Sequence, residues 1–375
     1  MWTIMLTHAR ARGLSLPSLL VIAASIIFSG CSSAEPDVVS FEEADMFERV
    51  GTIEIQEDDE RFIGTIRSLT VETDPLRLYI ADRTMHRIAV LDSTGTIVQL
   101  IGQEGEGPGE MQAPVRVAVW GDSLVVENTR SELTVFTKHG DFVRRGRLPP
   151  DTWQGGRWSL TTQDGDLFMA VSIADPVEHG ALATPELPVA ARLNYDFSLA
   201  EMFGRYPDLY QEEEYTRRWT TLDFSPDGHS ALGFALLPHV YIYDARKPEA
   251  PFVEKVVLDH PEFLHPPEPM PMGMPVSRII ELAPHFSNVQ HTFILSDHTV
   301  VQTFGHGTEE FYADDTRPQE DYHVYASLGK VGSDETLFLH LPGQILARDD
   351  NDRLYVELNH RPDERTIGVY EVNWP

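Results

Sequence analysis

Four arginines stand at matching places along the chain. Arg67, Arg116, Arg157 and Arg218 lie six to nine residues ahead of polar turns at Asp74, Asp122, Asp164 and Asp227, and His291 and Gln344 hold the corresponding places before two further turns. Guanidinium groups converging from such positions would bind a carboxylate, phosphate or sulfate through paired hydrogen bonds. The competing expectation is that each arginine pairs with an acidic residue of the neighbouring repeat, because like charges converging without partners are costly. The sequence supplies few other reactive patterns. No G-x-S-x-G elbow, P-loop or H-E-x-x-H pair occurs, so no nucleophile, phosphate cradle or local zinc motif is read from the chain. The 15 histidines include His260, His265, His285, His291, His298 and His306, and none has metal-ligand spacing to another. Asp349-Asp350-Asn351-Asp352 is calcium-like in composition but lacks spaced ligands and a terminal glutamate, and a polar turn is expected. Met270, Met272 and Met274, in a proline-rich run from 266 to 275, could hold a soft copper ion with His260 and His265 or could pack on the protein wall; packing is the expectation. No catalytic residue, metal or cofactor is assigned.

The elements that must position the arginines follow from a recurring unit. A polar turn followed at once by an apolar run occurs six times, at Asp74-Pro75, Gly121-Asp122, Gly165-Asp166, Asp227-Gly228, Asp297-His298 and Asn351-Asp352. Most of these runs precede a second one, as in Ile88 to Leu91, Leu133 to Phe136, Val240 to Tyr243, His323 to Tyr325 and Ile367 to Tyr370. Ser93-Thr94-Gly95 and Lys138-His139-Gly140 read as hairpin turns in which glycine accepts a positive φ. Leu78 precedes Leu124 by 46 residues and Gly95 precedes Gly140 by 45, a period suited to four short strands. Several strands are apolar on both faces, so each small sheet must be covered on both sides, and stacked sheets achieve this without helices. Helical periodicity is confined to Val276 to Ala283 and, more weakly, Tyr210 to Trp219. These features predict an all-β chain forming a six-bladed β-propeller of four-stranded antiparallel blades. Val50 to Gln56 is expected to pair with the final strand, Ile367 to Trp374, and close the ring.

Leu78 to Gly95 with Ile101 to Val119 resembles the NHL repeat. Gly-Glu-Gly-Pro-Gly-Glu at 105 to 110 is similar to the joint of bacterial six-bladed propeller lipoproteins, and Phe224 to Gly228 to the turn of TolB-like blades. The resemblance is strongest over residues 63 to 145, and it implies a propeller without implying a particular activity. Related calcium-dependent lactonases need a carboxylate and amides at the channel, where this chain offers arginines. Peptidyl-amidating lyases with NHL blades need several metal-bound histidines.

Basic residues His8, Arg10 and Arg12 precede an apolar run from Leu14 to Phe28 that contains Pro17. It is short for a membrane span and reads as a signal peptide. Phe28-Ser29-Gly30-Cys31 resembles the lipobox of bacterial lipoproteins, which implies cleavage after residue 30 and lipid attachment at Cys31, the only cysteine. Ser32, in place of aspartate, implies the outer membrane of a Gram-negative cell, with the protein facing the periplasm. The expected organisation is a lipoprotein signal peptide at 1–30, lipidated Cys31 and tether at 31–49, and the propeller at 50–375. Net charge is -30, with only four lysines against 25 arginines. A nucleic-acid partner is therefore excluded, and the acidity is read as a solubility device. The sequence supports a monomeric, membrane-anchored binding or scaffolding module for an anionic ligand, a glycan or an envelope protein. The alternative is a hydrolase or lyase with a metal-dependent channel site.

Overall fold

Alternate residues of Leu78 to Asp82 face two different neighbours. Leu78 and Ile80 pack with Leu91, Ile97 and Tyr355, whereas Tyr79 and Ala81 pack with Ile88, Val117, Leu124 and Phe136. A strand with both faces covered has no polar alternation, which is why these runs read as continuously apolar. Ile80 and Leu78 are fully buried, each contributing roughly 1.5–3 kcal/mol relative to an exposed side chain.

The computed structural model describes residues 37–375 apart from 130, 151, 155–159, 176–181, 184–186, 213–218, 248, 271–273, 314–320, 360, 362–363 and 375. The signal segment, Cys31, Arg157 and Arg218 lie outside the described residues. Six sheets follow one another in chain order. Blade 1 consists of Ile66–Thr73, Leu76–Asp82, Arg87–Leu91 and Ile97–Ile101, and blade 2 of Pro114–Trp120, Ser123–Asn128, Glu132–Thr137 and Phe142–Arg147. The frame of blade 3 is Leu160–Gln163, Asp166–Asp175, Ala190–Leu193 and Leu199–Phe203, with short strands Thr152–Gln154 and Leu182–Ala183 added beside Asp166–Asp175. Blade 4 is Thr220–Phe224, His229–Phe234, Leu237–Asp244 and Phe252–Val257; blade 5 is Asn288–Ile294, Thr299–Gly307, Tyr322–Lys330 and Thr336–Leu341. Blade 6 takes Ile345–Arg348, Leu354–Asn359 and Thr366–Val372 from the C-terminal end and its outer strand, Phe47–Glu54, from the N-terminal side. All six polar turns fall between the first and second strands of a blade.

Ring closure follows the expected partnership with an earlier start. Phe47 pairs with Val372 and Glu54 with Thr366, while the Ile55 amide donates to the Arg365 carbonyl at 3.0 Å. Arg365 then ties blade 6 to the entry of blade 1. Its Nη1 donates to Glu57 Oε1 at 2.9 Å and to the Ile63 carbonyl, and its Nη2 donates to the Gly64 carbonyl at 3.2 Å. Part of the expected tether belongs to the body. Val38–Ser40 adds in parallel to Thr336–Leu341, and Phe41 is buried against Phe47 and Tyr370. The cause is the apolar content of this segment, Val38, Val39 and Phe41, which a solvated linker would leave exposed.

Gly95 and Gly140 have φ of 81° and 88°, as the hairpin reading requires. A Cβ on Gly95 would stand 1.9 Å from the Glu54 carbonyl oxygen, so that hairpin touches the ring-closing strand. Val276–Leu282 forms a helix as expected, and a short helix covers Leu209–Glu212. Met270 is fully buried and Met274 partly buried in one apolar cluster with Phe286 and Leu282, so these two methionines pack as core; Met272 is outside the described residues.

Candidate functional site

The first strand of every blade contributes to the wall of one central channel enclosing about 380 Å³. The size falls within the usual range of small-molecule pockets. Ser68 and Thr70 line it from blade 1, Arg116 from blade 2, Thr161 from blade 3, Asp223 from blade 4, His291 from blade 5 and Arg348 from blade 6. Arg116 and His291 thus face the channel, whereas Arg67 is not among the residues that line it.

Arg116 lies opposite Glu127 on the adjacent strand, with its Nε 3.7 Å from Glu127 Oε2. Both are buried, the Glu127 side chain completely. Glu127 belongs to the same blade as Arg116, because the antiparallel register puts positions 116 and 127 side by side. Burial pushes the Glu127 carboxyl up to about 7, against the opposing pull of Arg116 and then Arg67. Burial, reinforced by the positive charge of Arg116 and Arg67, pushes His291 down to about 3. His291 is therefore a neutral imidazole near pH 7, stacked on Phe293 with ring centroids 5.4 Å apart. Arg67, Arg116, Glu127 and His291 form one electrostatic group near the starts of the first strands. Gln344 is partly exposed beside blade 6.

Near the ends of the first strands a second group ties blades together across the channel, with residues the sequence did not single out. Arg348 of blade 6 donates from Nε to Asp223 Oδ2 at 3.1 Å and from Nη2 to the Phe224 carbonyl at 2.8 Å, both in blade 4. Asp223 also accepts the Ile294 amide of blade 5 at 3.0 Å. Arg348 Nη1 reaches Asp352 Oδ1 at 3.2 Å, so the guanidinium joins blade 6 to blade 4, and Asp223 carries the link on to blade 5. The sequence signal was the offset between strands: Arg348 closes its first strand, whereas Arg116 stands near the beginning of its own.

The remaining motifs resolve as structure. Asp349 is enclosed by donors from Asn351, Arg353 and Tyr355, and Asp352 accepts the Ser296 amide at 3.0 Å. In the glycine-rich joint the Gly107 amide donates to Glu110 Oε2 at 2.7 Å, and Arg145 donates to the carbonyls of Glu106 and Gly107. A carboxylate thus uses the amide that an anion cradle would need.

Histidine spacing concealed one cluster. Asp227, His229 and His298 lie together at the seam of blades 4 and 5, outside the channel lining. No local motif could reveal it, because its members come from two turns 71 residues apart. The signal lay in the repeat itself, which puts the turns at Asp227 and Asp297 on the same face of successive blades.

Fold and channel together define a six-bladed β-propeller with a polar, arginine-containing central channel. Among solved structures, it is similar to a member of the DUF4221 family from Bacteroides vulgatus, with a TM-score of 0.66 and 12% identity over 88% of this chain and 99% of that one. It is also similar to a protein of Bacteroides fragilis assigned as exported, with a TM-score of 0.57 and 12% identity over 90% of this chain and 98% of the other. These likenesses concern the fold. No protein-family profile and no curated protein sequence matches the chain. Among the described residues, no helix is long and apolar enough to cross a membrane.

Proposed function

We propose that the protein is an envelope lipoprotein, held at the outer membrane through Cys31 and facing the periplasm, whose propeller binds a small anionic ligand in its central channel. The observation that carries this reading is the presence of Arg116 and His291 on the wall of a 380 Å³ channel, with Arg67 close enough to act on the same buried groups. A guanidinium has five N–H donors, so one arginine can serve Glu127 and a ligand carboxylate, phosphate or sulfate together. Arg157 and Arg218 extend the proposed site by their matching sequence positions. The neutral His291 supplies a donor or acceptor without adding to charge repulsion. The lipid anchor rests on the apolar run ending at Cys31.

The test is a thermal-shift titration with succinate, inorganic phosphate and sulfate, each repeated on Arg67→Gln/Arg116→Gln. At least one anion should raise the wild-type melting temperature in a saturable way, and the double variant should lose that response while remaining folded. An equal response in both proteins, or none in either, would refute the channel reading.

A further inference from the structure

The turns between the first and second strands of blades 4 and 5 carry a second site. Both carboxylate oxygens of Asp227 lie 3.0 Å from His229 Nδ1, and its Oδ2 lies 3.1 Å from His298 Nε2. One ligand atom from each residue can be chosen so that all lie within 4.8 Å of one another. We propose that Asp227, His229 and His298 form a binding site for a divalent transition cation of the zinc class, bridging blades 4 and 5.

The geometry favours a small tetrahedral ion. Bonds of about 2.0–2.1 Å to nitrogen or oxygen in a tetrahedron separate neighbouring ligand atoms by roughly 3.3 Å. The carboxylate-to-imidazole separations here are within a few tenths of an ångström of that edge, so a cation can replace the shared protons on these two edges, with one nitrogen of each imidazole within 4.8 Å of the other. Two imidazoles and one carboxylate suit zinc better than calcium or magnesium, which prefer all-oxygen sets.

The ligands are also held from behind. Ser225 Oγ donates to Asp227 Oδ1 at 2.5 Å, and the His229 amide donates to Ser225 Oγ at 3.1 Å. Such contacts orient a carboxylate and an imidazole before any ion arrives. His298 sits at φ 65°, fixed by its amide donating to the Leu295 carbonyl at 3.0 Å and its carbonyl accepting the Val331 amide at 3.2 Å. Asp227 is 43% and His298 35% exposed in their side chains, which leaves a solvent-facing fourth position for water or a small ligand. Arg246 is the opposing feature, with Nη1 3.8 Å from Asp227 Oδ2. Its main partner is Asp244, at 2.8 Å from its Nε. Its Nη2 also donates to Asp244 Oδ2 at 3.2 Å and lies 3.5 Å from His229 Nε2, so a bound cation requires the half-exposed guanidinium to shift away from Asp227 and His229. A simple hydrogen-bonded seam would use the same contacts but would have no affinity for a metal.

The experiment is a calorimetric zinc titration of the purified chain, stripped with chelator and free of any affinity tag, together with zinc X-ray absorption of the loaded protein. One zinc per chain is expected, with an absorption spectrum containing two imidazoles. His229→Gln and His298→Gln should each weaken binding by roughly tenfold or more, whereas His285→Gln, at an exposed position elsewhere, should not change it. Absence of binding at about 1 mM zinc, or one equivalent whose affinity survives both substitutions, would overturn the site. Should either variant fail to fold, the wild-type absorption spectrum decides the matter: a zinc environment without two imidazoles overturns the proposal.

Discussion

Replacing Glu127 by Gln should change how stability depends on pH. The Glu127 carboxyl is raised from 4.5 to about 7 in the folded protein, chiefly by burial. Between these two pH values the folded state binds more protons than the unfolded state, so stability falls as pH rises through this window. The stabilising contribution of the protonated form is complete below pH 4.5 and lost above about pH 7. At about 1.4 kcal/mol per pKa unit, the whole effect is on the order of 3 kcal/mol, or roughly 4 °C in melting temperature for a body of this size. Glutamine imitates the protonated carboxyl and does not titrate. The variant should therefore match wild type near pH 4.5 and become more stable than it by about 3 kcal/mol near pH 8. Denaturant melts of both proteins at several pH values measure this difference directly. A stability difference that stays constant with pH, or a variant weaker than wild type near pH 8, would refute the assignment of Glu127 as a carboxyl held near neutrality by burial.

Three other outcomes follow from the architecture. Arg348→Met strands the Asp223 carboxylate at the junction of three blades, and chemical denaturation should show a loss of about 3 kcal/mol or more, partly recovered in Asp223→Asn/Arg348→Met; additive losses would mean that the pair is uncoupled. Gly95→Ala forces a Cβ into the Glu54 carbonyl at a left-handed turn and should cost on the order of 1–3 kcal/mol, read as a lower denaturation midpoint, whereas Gly332→Ala, with open space around it and a similar φ, should cost less. Cys31→Ser should abolish incorporation of labelled fatty acid in bacterial cells, and persistent labelling would remove the lipid anchor from the proposal.

The blade count and the strand order were legible because each repeat obeys local rules: a polar turn, then strands apolar on both faces. Leu78 to Leu91 carries enough of that pattern to fix both neighbouring interfaces. The place of Arg116 on the channel wall could be read because position within a first strand sets position along the channel. What remained hidden depended on pairing between distant segments. Glu127 reads as a lone carboxylate in an apolar strand until antiparallel register sets it beside Arg116. Arg348 and Asp223 are 125 residues apart, and their contact appears only once the ring is closed. Val38–Ser40 was too short to distinguish a docked strand from a tether.

The central claim is that the channel takes an anion between its arginines, and anomalous diffraction from crystals soaked in selenate tests it most directly. A selenium peak inside the channel, within hydrogen-bonding reach of Arg67 or Arg116 and absent from Arg67→Gln/Arg116→Gln, is the predicted result. Peaks confined to the outer surface, with none in the channel, would contradict it.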